Sequence, residues 1–243
     1  MPLYITYWRP NEVATRRKGS KMRTLRSLSI FSAVFYALSA GCASSPPSDP
    51  ETEATIRSHF EEFGRAVEAR DGERAAILVS RATLEHYKAL LDMARHAERE
   101  DLEELCLADQ YLVLCIRHRM PREKALELTQ EALYAEVVRR GWLGQVHMQA
   151  GTLDAITVSG DTASATLANE GSTTPKAVQF SREAGAWKID AVFQNDVLNA
   201  AMEKSLDMSR LPEDKFLVHI LFITTQQNVS ADVWEPLAAQ KSE

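Results

Sequence analysis

Three cysteines and ten glycines are spread over 243 residues, and each scarcity excludes something. Three thiols cannot build the disulfide framework of a small secreted scaffold. No Gly-rich phosphate loop and no Gly-x-Ser-x-Gly elbow occurs, so the local signatures of nucleotide-binding loops and serine hydrolases are missing. The six histidines, His59, His86, His96, His118, His147 and His219, include no pair four residues apart and no His-Glu-x-x-His. A zinc site of that kind is therefore not encoded, and nothing in the sequence calls for a cofactor. No run reaches the ~20 apolar residues of a spanning helix. A basic stripe with interleaved aromatics is also missing.

What is present begins with an uneven charge. Residues 1–42 hold Arg9, Arg16, Arg17, Lys18, Lys21, Arg23 and Arg26 against the single acid Glu12. The remaining 201 residues carry 21 basic and 33 acidic side chains, a net charge of about −12. Such a body repels nucleic acid and anionic headgroups. Nucleic-acid binding is disfavoured.

The basic N-terminal stretch leads into Ser27–Gly41, which carries no charge and contains Leu28, Ile30, Phe31, Val34, Phe35 and Leu38. A positive region, a short apolar region and small residues before a cysteine read as an export signal. "SAGC", ending at Cys42, resembles a bacterial lipobox. That resemblance implies cleavage after Gly41 and a diacylglycerol on the Cys42 thiol. The usual lipobox leucine stands three residues before the cysteine; here Ser39 stands there and Leu38 is one place further out. "MRTLRSLSIFSAVFYALSAGC", from Met22, is a complete signal of this type, so residues 1–41 read as a signal peptide with translation starting at Met22. An intact mass of the uncleaved precursor beginning at Met1 would overturn that start. Residues 42–50 then read as the lipidated cysteine and a Ser/Pro tether, "ASSPPSDP". Ala43, where enterobacterial retention signals have Asp, favours the outer membrane. The expected location is the bacterial cell envelope, periplasm-facing or on the outer membrane.

Residues 51–243 read as one domain. Asp49-Pro50 marks a helix entry, and Ile56, Phe60, Phe63 and Val67 form a stripe running to about Arg70. Asp71-Gly72 interrupts it, Glu73–Val79 continues, and Ser80 caps a third helix. Leu102–Arg119 is the most apolar helix, with Cys106 and Cys115 on opposite faces as small hydrophobes. Pro121 opens a further helix that Gly141 ends. The period then changes to two at Ile156–Val158, Thr162–Leu167, Ala177–Ser181 and Trp187–Val192, an antiparallel meander of three to four strands. Helical patterns return at Val197–Leu206, Glu213–Gln226 and after Ser230, with Asn228 ending one helix and Ser230 capping the next. The class is α+β: N-terminal helices packed on a bent antiparallel meander, with additional C-terminal helices.

"VEARDGERAAILVS", "ITVSGDTASATL" and "AVQFSREAGAWKIDAV" resemble the nuclear-transport-factor-2-like superfamily, also called the SnoaL-like or cystatin-like cone. The resemblance covers about residues 52–195 and implies helices seated in the concave face of a bent sheet, often with a pocket at the open end. Some members are isomerases or dehydratases, but fold alone does not transfer chemistry.

The candidate site is Asp109-Gln110-Tyr111 with Arg117-His118 on the apolar helix, because polar groups in such a helix need partners when buried. Asp109 is the candidate acid, paired with Arg117 or another basic group, or else a structural ion-pair partner. Tyr87, Asp109, Tyr111 and His118 are the candidate pocket residues. The leading expectation is a non-catalytic lipoprotein, held to the lipid membrane by its acyl anchor, that binds a small apolar ligand or an envelope protein. The alternative is a hydrolase, isomerase or dehydratase with its acid at Asp109. Cys42→Ala releases the domain into the soluble fraction on this reading, because stable anchoring needs the acyl chains. A variant that sediments with membranes as wild type does would refute the anchor.

Overall fold

The computed structural model describes residues 49–142, 152–168 and 176–240. Cys42, the signal and the tether lie outside them, as does His147. The chain is α+β, with helices before and after a four-stranded antiparallel sheet in which each strand pairs with the next in sequence.

Each early helix begins on a side-chain oxygen that accepts an otherwise unpaired backbone N–H. Asp49 opens α1 (Pro50–Glu68), Asp71 opens α2 (Gly72–Leu78) and Ser80 opens α3 (Arg81–His96). Gly72 is required where α2 starts. A Cβ there would stand 2.0 Å from the Ala135 carbonyl oxygen, so only glycine allows α2 to lie this close to the helix that carries Ala135.

Two long helices expected from periodicity are each broken in two. Leu102–Arg119 divides into α4 (Arg99–Leu102) and α5 (Leu107–Arg119). The break is stabilised by a tight turn in which Leu105 N donates to Leu102 O at 3.0 Å, while the Gln110 side chain donates to Leu105 O at 3.0 Å. Cys106 therefore precedes α5 and is exposed, whereas Cys115 is buried within it. The helix after Pro121 divides into α6 (Arg122–Glu127) and α7 (Gln130–Arg140). Thr129 caps α7, and the Arg95 guanidinium donates to the Ala125 and Leu128 carbonyls that the break frees. Gly141 ends α7 in the left-handed region, at φ 63.

The strands are β1 (Thr152–Ser159), β2 (Thr162–Ala168), β3 (Lys176–Glu183) and β4 (Ala186–Asp190). A register shift between Leu153 and Ile156 interrupts the β1–β2 ladder. Alternation puts Ala163, Ala165, Leu167, Val178, Phe180, Trp187 and Ile189 into the core, and Phe60 of α1 meets Phe180 edge-on at 6.4 Å between centroids. The last strand stops at Asp190, two residues early. Thr83 Oγ1 accepts from Ala191 N at 2.8 Å and the Asp190 carboxylate from Val192 N at 3.1 Å, so neither amide is left for the ladder. Helix α8 (Phe193–Ser209) consequently starts four residues sooner than its apolar pattern suggests, and α9 (Glu213–Thr225) follows. Asn228 ends no helix, since Gln226 takes the left-handed cap of α9. Ser230 precedes a short 3-10 helix, Ala231–Trp234, without a side-chain capping bond.

Helix α5 is hydrophobic on nearly every side and is the buried centre of the helical layer. It touches α3, α6, α8, α9 and the 3-10 helix. Its buried Arg117 donates to Ala94 O (3.0 Å), Met93 O (3.0 Å), Ala97 O (2.6 Å) and Trp234 O (2.8 Å). Three of these acceptors belong to the end of α3, where unpaired carbonyls and the helix dipole favour a cation. Burial lowers the guanidinium pKa to about 10, partly opposed by Glu98, and the group stays charged at neutral pH. Arg117→Ala is expected to lower unfolding free energy by about 3 kcal/mol, since it strands several buried carbonyls. Arg117→Lys is expected to recover only part, because an ammonium cannot reproduce the planar fork. Urea denaturation of the three proteins checks both, and a loss below about 1 kcal/mol for the alanine variant would overturn the assignment.

Candidate functional site

Asp109 lies in the first turn of α5 and is half-buried on a helix whose neighbours are almost all buried. Its partner is His86 of α3, at 3.2 Å from Nε2 to Oδ1. It is not Arg117, which the α3 carbonyls consume. Eight residues separate His86 from Ala94 and eight separate Asp109 from Arg117. The two contacts therefore match along helices that run in the same direction, about 12 Å apart on each axis.

Asn195, in the first turn of α8, completes the group. Its Nδ2 lies 3.0 Å from Asp109 Oδ1 and 2.8 Å from His86 Nε2. Its Oδ1 accepts from the Tyr87 hydroxyl at 3.4 Å. This amide orientation follows from the network, because the reverse one would set Oδ1 against the carboxylate. Tyr87 is packed edge-on against Tyr134, with centroids 4.9 Å apart, and the Tyr134 hydroxyl is buried without a partner. Further along α8, Asn199 Oδ1 accepts from Ala108 N at 3.2 Å, so a second α8 side chain holds the start of α5.

Electrostatics follow from this packing. Burial raises the Asp109 pKa, but the bonds and charge of His86, with help from Asn195 and Cys106, outweigh it and hold the carboxyl below its usual value. Burial and the Asp109 charge push the Tyr87 hydroxyl far up. The Cys106 thiol beside Asp109 is also raised, mainly by desolvation, which makes it a poor nucleophile.

Of the four expected pocket residues, the structure brings together Tyr87 and Asp109. Tyr111 points elsewhere: its hydroxyl lies 3.3 Å from Thr224 Oγ1 of α9, and burial raises its pKa. His118 is near the other end of α5. Its Nε2 is buried without a partner, and burial and then Arg119 lower its pKa. His86 and Asn195 were not singled out from the sequence, because they stand 23 and 86 residues from Asp109 and no local spacing links them.

Two surface grooves of about 530 and 550 Å³ are lined by other residues. One lies along α2, α6 and α7 at Ile77, Leu128 and Glu136, the other beside Arg99 and Trp234. Among the described residues no group of three or more His, Cys, Asp and Glu could hold a metal ion, and no helix is long and apolar enough to cross a membrane. No known protein family, curated protein or solved structure matches this chain.

The carboxyl of Asp109 is more acidic folded than unfolded, so it stabilises the fold above the unfolded pKa and that contribution fades as pH falls through the lower folded value. Asp109→Asn is accordingly expected to cost about 1 kcal/mol at neutral pH, with the deficit closing below about pH 4. Thermal or urea unfolding of both proteins across that range checks the sign; a deficit that grows on acidification would overturn it.

Proposed function

We propose that this chain is a lipid-anchored protein of the bacterial cell envelope whose folded domain binds a protein partner and performs no catalysis. The observation that carries the reading is where apolar surface is left in contact with water. Five large hydrophobic residues are exposed among those described: Ile77, Met208, Leu211, Phe222 and Ile223. Four of them fall on α8, α9 and the link between them. Helix α8 buries only Gln194, Asn195 and Met202 along 17 residues, which leaves most of its surface free for another molecule. Exposed apolar side chains on these two consecutive helices and their link are the interaction surface of this reading.

The sign of the charge narrows the occupant. A body of about −12 net charge is repelled by anionic lipid headgroups and by acidic proteins. An apolar protein face with neutral or basic surroundings is the partner this chemistry accepts. The cone-fold resemblance remains part of the proposal. It is supported by helices that precede a four-stranded meander and pack on its apolar face.

A second reading is supported by one observation, the half-buried Asp109 carboxylate held against His86. On that reading the chain is a hydrolase, isomerase or dehydratase. The low pKa of Asp109 suits a base better than an acid.

Photo-crosslinking residues placed at Met208 and Phe222 in the full chain, in its own host cell, distinguish these outcomes. Adducts of one discrete protein mass at both positions, with none at the exposed sheet residue Gln179, are expected. Adducts to lipid, or no adduct at either position, would overturn the docking surface.

A further inference from the structure

Helix α8 packs Phe193, Leu198, Met202 and Leu206 against the core and makes polar contacts at its start, one of which is incompatible with another. His86 Nε2 lies 2.8 Å from Asn195 Nδ2 and 3.2 Å from Asp109 Oδ1. The amide nitrogen can only donate and the carboxylate can only accept. A ring nitrogen with a lone pair satisfies Asn195 and faces the carboxylate with electrons. A ring nitrogen with a proton satisfies Asp109 and faces the amide hydrogen with another hydrogen. Nε2 cannot serve both at once.

From this geometry we propose that His86 is a proton-operated latch on α8. With the imidazole neutral and its proton on Nδ1, Asn195 is fully used. Its two hydrogens go to His86 Nε2 and Asp109 Oδ1, and its oxygen accepts from Tyr87. When a proton arrives from solvent, Nε2–H donates to Asp109, the pair becomes a charged hydrogen bond, and Asn195 loses one acceptor. The side chain has to withdraw from a donor at 2.8 Å, and it withdraws with the first turn of α8. The proton is taken up on Nε2 and no bond between heavy atoms changes.

The surroundings fit this device. His86 keeps about a quarter of its side chain exposed and Asp109 about a sixth, so protons reach the pair from solvent (24% and 17%). The groups facing the imidazole are few. From α5 there is Asp109 and, beside that carboxylate, the thiol of Cys106 just before the helix. From α3 itself there is Tyr87, edge-on at 5.7 Å between centroids. From α8 there is the neutral Asn195. Imidazole is the side chain whose ordinary titration falls between about pH 5 and 8. Beyond its start, α8 buries Met202 and packs the partly buried Leu198 and Leu206 against the core, and the Ala108–Asn199 bond is its next polar tie. Through the docking reading, on which only this consequence rests, acidification would alter the surface that α8 and α9 offer a partner.

Hydrogen exchange of the full chain in detergent micelles, followed by mass spectrometry and corrected for intrinsic chemical rates, tests the latch without any partner. Peptides covering Phe193–Met202 are expected to exchange about tenfold faster at about pH 5.5 than at about pH 7.5. Peptides from α1 and from β2–β3 are expected to be unchanged. His86→Gln, which offers an amide in place of a titrating ring, is expected to abolish the pH difference. Equal protection of α8 at both pH values, or the same loss in His86→Gln, would overturn the proposal. Should that variant fail to fold, the side-chain amide resonances of Asn195 in the wild-type chain decide. They are expected to shift with the His86 ring titration, and resonances that stay still through it would overturn the latch. Crosslinking at Met208 and Phe222 reads a different event, so either proposal fails without the other.

Discussion

Arg117 spends its guanidinium on backbone carbonyls, three at the end of α3 and one in the 3-10 helix near the C-terminus. A buried cation satisfied in this way needs no carboxylate partner, because the helix end supplies both partial charge and acceptors. The consequence is geometric. With Arg117 fixed at Met93, Ala94 and Ala97, α5 cannot slide along α3. The residues eight places earlier on each helix, Asp109 and His86, are then brought together two turns away. The same guanidinium holds Trp234 O, and Leu237 N and Ala238 N donate to Ala94 O and Arg95 O. One side chain thus sets the register of the two central helices and seats the C-terminal segment.

Around that axis the remaining ties are mostly polar contacts to helix ends. Arg95 takes the carbonyls freed between α6 and α7, Gln110 takes Leu105 O and the Glu213 carboxylate, and Thr83 takes the amide that ends β4. Glu136 receives Lys124, Arg139 and Arg140, and despite the opposing effect of burial its pKa is lowered to about 2. Helix α8 is packed less completely. It is joined by amides at Asn195 and Asn199 and by Phe193, Leu198, Met202 and Leu206 against the core, with Met208 facing water further on. An element held by few directional contacts is the one that a proton or a partner most easily displaces.

Much of the architecture was legible because its signals are local. Asp49 and Ser80 each lie directly before the helix they cap, and period-two alternation marked the four strands. The errors were local as well, and each came from a long-range bond. Nothing near residues 103–106 says that a helix stops there, since the turn depends on Gln110 reaching back. Nothing near 128 says that α6 ends, since Arg95, more than thirty residues earlier, receives its carbonyls. The strand end at Asp190 depends on Thr83, 108 residues away from the amide it binds. Periodicity reports which face is apolar and is blind to acceptors that arrive from elsewhere.

For the candidate site the division is sharper. A carboxylate within an apolar helix pointed to Asp109, because burial demands a partner, and the burial rule held. The partner's identity was not readable. Arg117, on the same helix and of the right charge, proved committed to α3, while His86 and Asn195 came from helices 23 and 86 residues away. The sequence by itself determined the class of the fold, most of the helix starts, the meander and the acidic balance of the body, since these depend on neighbours in the chain. Only the tertiary structure decided which polar groups meet, because burial makes a partner obligatory while leaving to three-dimensional packing the choice of which one.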